Sequence, residues 1–338
     1  MDGGLPIREF RPSKEPARDP NSPLRAAAAA AAAEEAERAR DAAAQREVVA
    51  DASQAASGVA RATALRALAA SGRVSAADAV GLYGTSRRGF FCTAGDAAAR
   101  HQALEAARAV VARGDAGDAG AVLDMAAAAL GPEAGEGDAD ARLAAALCFR
   151  DGLLSTSAGV RAAAVERLPG VVPAVEDGDA RVQAAVLRLL GEELGDLREK
   201  PRGGPGGRVA RAAAIAAARV AGNVPPDGDP GRAHAPPARA AACAFVETTC
   251  CWTAECQAAV LAAAASGDAP LRLAAVSALA TAPYKERIAA AVANAESDGD
   301  ARVRDAASYA KASLDIAGEA KARRRKAKDA GGDATPGD

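Results

Sequence analysis

The sequence predicts an all-α protein in which short helices stack as a repeating array. Three observations carry this. Half of the 338 residues are hydrophobic but only 3% are aromatic, and the apolar set is dominated by Ala, which suits helices packed through small side chains better than strands. The 33 Gly and 18 Pro cut the chain into short pieces. A phrase is also reused: "DGDARV" stands at 177–182 and again at 298–303, each time leading into an Ala-rich segment.

Taken in order, residues 1–23 hold Pro6, Pro12, Pro16, Pro20 and Pro23 among mixed charges, which prevents a continuous helix and predicts a disordered arm. Residues 24–57, opening with "LRAAAAAAAAEEAERAR", have high helix propensity and an apolar face that is almost all Ala. They predict a helix with little to dock on. Asp2, Glu9, Glu15, Asp19, Glu34 and Glu35 are too many acids for a transit peptide, the charged-then-apolar layout of a secretory signal is missing, and no run reaches the roughly 18 apolar residues of a membrane span. An intracellular chain is expected. The formal charge of −2 gives no global reason to bind nucleic acid or an anionic membrane.

Residues 58–316 predict a helical repeat array, clearest over 140–314. "ARATALRALAASG", "ARHQALEAARAVVARGD", "AGAVLDMAAAALG" and "ARLAAALCFRDGLLS" each place apolar residues at helical spacing, with Gly or Asp as stops. Further on, "AGVRAAAVERL" at 158–168, "ARVQAAVLRLL" at 180–190, "GRVARAAAIAA" at 207–217, "APLRLAAVSAL" at 269–279 and "ARVRDAASYA" at 301–310 read as variants of one phrase, with "PPARAAACAFV" from Pro236 as a further unit. Leu271 and Val303 lie 32 residues apart. A period near 30 is that of a helical solenoid.

This phrase resembles the second helix of HEAT repeats, and in particular the HEAT-like repeats of phycocyanobilin lyases, where "D-x-x-V-R-x-A-A-x-x-A-L" follows a shorter first helix. "SDGDARVRDAASYA" and "SGDAPLRLAAVSALA" match it best, with "YKERIAAAVANA" and "TAECQAAVLAAAA" as the preceding first helices. The resemblance implies a right-handed α-α superhelix of the HEAT or armadillo type, interrupted by "PRGGPGG" and "NVPPDGDPGRAHAPP" as surface loops. "TSAGVRAAAVERL" followed by "DGDARVQAAVLRLL" is similar to the paired HEAT units of the scaffold subunit 4 family of the Integrator RNA-processing complex. That likeness implies a non-catalytic scaffold or adaptor that grips protein partners on its concave surface within a nuclear assembly. The lyase likeness implies the alternative, a bilin-lyase-type enzyme or enzyme accessory with a pigment cleft.

Within the phrase, Asp179, Asp268 and Asp300 stand where an N-cap carboxylate would satisfy free amides, and Gly178, Gly267 and Gly299 would permit the turn before it. Val182, Leu271 and Val303 are expected in the core. Arg272 and Arg304 are expected to pair with an Asp of the same or the adjacent repeat. A ligand-binding ladder of these Asp and Arg residues is the competing reading, but repeat signatures usually encode stacking.

No catalytic, metal or cofactor-binding constellation is expected. His101 and His234 are the only histidines, too few for a histidine metal centre, and both read as solvent-exposed bystanders. Six cysteines, Cys92, Cys148, Cys243, Cys250, Cys251 and Cys256, are unevenly spread, which fits reduced thiols. The cluster "CAFVETTCCWTAEC", with Glu247 and Glu255, could hold a soft metal or a thiol nucleophile. Its spacing, with Cys243 and Cys250 seven apart on one helix face, favours core packing.

Residues 317–338 predict a basic disordered tail. Lys321, Arg323, Arg324, Arg325, Lys326 and Lys328 resemble a monopartite nuclear localisation signal and would also attract phosphate, giving a weak nucleic-acid contact; a solvated helix end is the bland alternative. A nuclear location is expected, otherwise a cytoplasmic one.

Overall fold

The computed structural model describes residues 30–37, 40, 63, 66, 69, 74–87, 94–131, 138–195, 205–225, 233–283 and 285–331, with backbone alone for 85–87, 94–96, 205–206, 320–321 and 324–331. The arm at 1–23, most of 24–57 and Cys92 lie outside these residues. The chain divides after Asp51 into two units. In the first, residues 30–37 and 40 are helical and their side chains exposed.

The second unit holds α1 (Ala76–Arg87), α2 (Ala94–Arg113), α3 (Ala116–Leu130), α4 (Ala139–Leu153), α5 (Ala158–Val171), a 3-10 helix (Val172–Glu176), α6 (Ala180–Leu194), α7 (Pro205–Ala221), α8 (Pro236–Thr249), α9 (Ala254–Ala264), α10 (Ala269–Leu279), α11 (Glu286–Ala295) and α12 (Ala301–Gly331). Among the described residues no strand occurs. Local chemistry sets the boundaries. Asp115, Asp138, Asp179 and Asp268 cap α3, α4, α6 and α10 through side-chain oxygens that accept from amides two or three residues on. Helix α8 lacks a side-chain cap but opens on Pro236 and Pro237, whose missing N–H groups need no partner there.

The helices pack by parity. Each even helix touches the next, α2 to α4, α6, α8, α10 and α12 in turn, while α1, α3 and α5 form a second layer that continues through the 3-10 helix into α7, α9 and α11. Each odd helix also packs on the even helix that follows it, except α5, whose place against α6 is taken by the 3-10 helix. The result is a two-layer array of helix pairs, the architecture of an all-α solenoid.

Small residues make the layers tight. Ala is the commonest buried side chain, with Phe149, Phe245, Leu104 and Leu123 among the largest fully enclosed. A Cβ on Gly159 would stand only 2.7 Å from the Cβ of Ala116, so the starts of α3 and α5 approach as closely as they do because that position is glycine. Ion pairs and hydrogen bonds then link odd neighbours: Arg167 of α5 holds Asp124 of α3 at 2.6 Å, Arg219 of α7 lies 3.3 Å from Glu176, and Lys285 and Arg287 at the start of α11 both donate to Gln257 Oε1 of α9.

Parity corrects the repeat reading at two places. The phrases at 158–168 and 207–217 are α5 and α7, helices of the odd layer, not second helices of repeats. The step from Val160 to Val182 is short because it runs from a helix of the odd layer to one of the even layer and not between equivalent helices. The basic cluster is also placed differently: α12 runs on to Gly331, so residues 321–328 are helical where a disordered tail was expected.

Candidate protein-interaction face

The hexapeptide builds the same turn twice. Asp177 and Asp298 each accept, through Oδ1, the amide of the residue two further on, Asp179 N at 2.7 Å and Asp300 N at 2.8 Å. Asp179 and Asp300 then accept the amide of Arg181 and of Arg302, both at 2.8 Å, and the guanidinium of the same arginine. These contacts hold the Asp300 carboxyl down at about 2, chiefly through the Arg302 side chain, and lower Asp179 through Arg181. Val182, Leu271 and Val303 are fully buried. A Cβ at Gly178, Gly267 or Gly299 would meet nothing, and none of the three takes a left-handed φ. The turn is therefore made by the aspartates and does not require glycine.

The first aspartate of each turn does more than shape it. Arg142 of α4 grips Asp177 with Nε at 2.6 Å and Nη2 at 2.9 Å, and Arg272 of α10 grips Asp298 at 2.7 and 2.9 Å. Each is a two-pronged bond from the start of one even helix to the turn before the next. The Arg272 contact lowers the Asp298 pKa. Between α6 and α8 the rung has no arginine: Gln183, in its place, meets His234 Nδ1 at 3.0 Å, and His234 Nε2 lies 3.3 Å from the Val224 carbonyl. His234 is buried and His101 half-buried, its Nδ1 3.2 Å from the Asp140 carbonyl, so neither is the exposed bystander expected. Their partners stand 39 and 51 residues away in sequence, where no local motif reveals them.

Arg304 departs from its expected acidic partner. Its Nη1 donates to the carbonyls of Asp298 at 2.7 Å and Gly299 at 3.2 Å, just as Arg272 Nη1 does to Ser266 and Gly267. Among the described residues no further even helix follows α12 to offer Arg304 a carboxylate.

One register unites these residues. Arg100, Arg142, Gln183, Arg239 and Arg272 each precede buried side chains three, four, six and seven residues later, as in Ala145, Ala146, Cys148 and Phe149 after Arg142. In α12 the positions four and seven after Arg304 are Ser308 and Lys311, both exposed; Lys311 pairs with Glu296 at 2.9 Å. The array is thus closed by polar side chains on the side where a further helix would pack.

The same register exposes a face. The positions one and five residues after the arginine or glutamine are half-buried or exposed in every even helix, among them Leu143 and Leu147 of α4, Arg188 of α6, Ala244 of α8 and Tyr309 of α12. This strip, mixed in character and carried by six successive helices, is the candidate binding surface. Sequence reading missed it, although the spacing of Arg or Gln before paired apolar residues was a usable signal.

The cysteines separate into two kinds. Cys148 and Cys243 are buried within α4 and α8, where burial pushes both thiols up to about 12. Cys250 is not on the α8 face with Cys243: it forms the left-handed C-cap, φ 50°, and is half-buried. Cys251 is half-buried in the connection between α8 and α9, and Cys256 is buried in α9 with its thiol donating to the Ala214 carbonyl at 3.6 Å. Among the described residues, no group of three or more His, Cys, Asp or Glu could hold a metal ion, and no helix is long and apolar enough to cross a membrane. Of the basic cluster, Arg323 is exposed and reaches Glu319 at 3.4 Å; the side chains of Lys321, Arg324, Arg325, Lys326 and Lys328 lie outside the described residues.

A scan against protein-family models finds no match to the chain, and a search of curated proteins finds none either.

Proposed function

We propose that this chain is a non-catalytic helical-repeat scaffold that binds other proteins along the outward strip of its even helices, within a nuclear multi-subunit complex. The observation that carries the reading is the shared register. The positions one and five residues after the arginine or glutamine stay half-buried or exposed in all six even helices, and stacked helical pairs present such rows at little cost to their own folding. The helical basic cluster at 321–328 supports nuclear import or a contact with phosphate.

Affinity purification from native extract tests this directly. Arg188→Glu with Ala244→Glu, both exposed positions, should leave helicity and melting temperature unchanged and remove the partners that the unaltered chain recovers. A variant that keeps them all sinks the strip as the binding surface. Replacing Arg323, Arg324, Arg325 and Lys326 by Ala should move a tagged protein from nucleus to cytoplasm. Visible absorbance after co-expression with a bilin, with no protein partner recovered, would favour the lyase alternative.

A further inference from the structure

We propose that Ser266 is a phosphorylation site whose phosphate closes the rung between α8 and α10, where Arg239 has no carboxylate to hold among the described residues. The assignment goes beyond the scaffold reading and does not depend on it. Arg142, Arg239 and Arg272 each stand four residues after the N-cap of their helix, Asp138, Ala235 and Asp268. The next even helix begins after Asp179, Asp268 or Asp300, and the residue two before each of these is Asp177, Ser266 and Asp298 in turn. In the first and third cases the arginine holds the aspartate through Nε and Nη2 at 2.6 to 2.9 Å. In the second the aspartate is a serine. There Arg239 Nε donates to the Ala221 carbonyl at 3.1 Å instead, although α8 and α10 pack together as the other even helices do.

Ser266 otherwise does what the aspartates do. Its Oγ accepts the Asp268 amide at 3.2 Å, the bond that Asp177 and Asp298 make to Asp179 and Asp300. What it lacks is charge, and a phosphate on this oxygen supplies negative charge and three strong acceptors. The turn has room for a second anion, since Asp298 and Asp300 stand together in the sister turn. Arg272 Nη1 already donates to the Ser266 and Gly267 carbonyls at 3.0 Å, so a further cation lies at the turn. Phosphoserine also carries its oxygens further from the backbone than aspartate, which shortens the swing that Arg239 must make.

Ser266 is half-buried in the connection at 265–268, between exposed Ala265 and Gly267. No charge stands between Glu255 and Ser266, and Asp268 follows two residues after it, so the flanks suit an acid-directed protein kinase. In the transfer Ser266 Oγ attacks the γ-phosphorus of ATP, the bond to the β-phosphate oxygen breaks, ADP leaves, and the hydroxyl proton passes to the kinase's base. The α8–α10 junction then gains the two-pronged bond that the α10–α12 junction has.

The test compares the full chain carrying phosphoserine at 266, introduced during translation, with the unmodified chain. The phosphate should slow hydrogen exchange at the starts of α8 and α10 roughly tenfold, the worth of one hydrogen bond to a charged group, and raise the melting temperature. Ser266→Asp, which copies the sister turns, should shift both in the same direction by less. In an Arg239→Gln background the phosphate should bring no gain. The comparison in the otherwise unaltered chain stands even if Arg239→Gln folds poorly. Use of the site is read by mass spectrometry on the chain purified from native extract and on the chain treated with an acid-directed kinase and ATP, with Ser266→Ala as control; phosphate on Ser266 is expected in both. Exchange unmoved by the phosphate, a gain that survives Arg239→Gln, or an unmodified Ser266 in both preparations would overturn the assignment.

Discussion

The two copies of the hexapeptide share their turn but not their fate. At 177–182 and 298–303 the same aspartates accept the same amides at matching distances. Yet α6 is enclosed between α4 and α8, while α12 is packed by even helices on one side only. Six identical residues therefore specify how a helix begins and say nothing of where it sits in the stack. That is decided later along the helix. Leu187 and Leu190 are fully buried in α6, where α12 has exposed Ser308 and Lys311.

The largest effect should come from erasing this distinction. Leu187→Ser with Leu190→Lys gives α6 the terminal pattern while it still has α8 to pack against. Truncating one buried Leu costs roughly 2–5 kcal/mol, so the double variant should lose its single cooperative thermal transition, with the part of the array after α6 melting first in hydrogen exchange. The mirror change, Ser308→Leu with Lys311→Leu, should leave the melting temperature nearly unmoved and cause self-association visible by light scattering. A monomeric mirror variant would break the comparison.

Second in size is Val303→Asp, which places a charge in a fully enclosed site and should cost several kcal/mol, confined to the α11–α12 pair. Denaturant unfolding with a probe on α12 and another on α4 separates the two ends.

A smaller effect is tied to pH. The folded Asp300 carboxyl lies at about 2, below the unfolded value of about 3.9, so its stabilising contribution is complete above pH ~4 and is lost as pH falls through ~2. Asp179 and Asp298 are lowered in the same direction. Asp300→Asn keeps a capping oxygen but removes the titration, so its denaturation midpoint should fall less steeply between pH ~4 and ~2. An unchanged slope would show that the turn at 298–303 contributes nothing through charge.

Smallest of all should be the changes at residues that only resemble signature positions. Arg304→Ala removes bonds to two carbonyls at an exposed site and should cost about 1 kcal/mol or less. Gly299→Ala meets no neighbour and should leave the melting temperature within error, whereas Gly159→Ala must separate α3 from α5 and should lower it.

The helical class and the caps were legible because Asp before an Ala-rich run and Gly or Pro after it act locally. Asp179 and Asp268 are N-caps, and Asp300 accepts the same early amide, for reasons contained within a few residues. Layer membership was not legible from the phrase. "Val-Arg-x-Ala" opens α5 as readily as α12, since both layers need a small residue next to a core residue. What tells them apart is burial by a neighbouring pair, visible in sequence only once several helices are aligned on their arginines. Long-range partners were the least accessible: nothing near His234 points to Gln183, and nothing near Asp298 points to Arg272. The candidate strip emerged from the same alignment, as the positions left over after both layers had claimed theirs.

The shared register also bears on how such a chain can change length. Arg239 and Arg272 stand 33 residues apart and precede the same pattern of buried positions, so a gene recombined from one codon to the other would delete one complete helix pair and splice the start of α8 onto the remainder of α10. In the shortened product Arg239 would face Asp298 in the place of Arg272, and the polar edge of α12 would still close the stack. Unequal crossing-over between these codons thus offers a route by which arrays of this kind gain or lose whole pairs while every surviving helix keeps its layer.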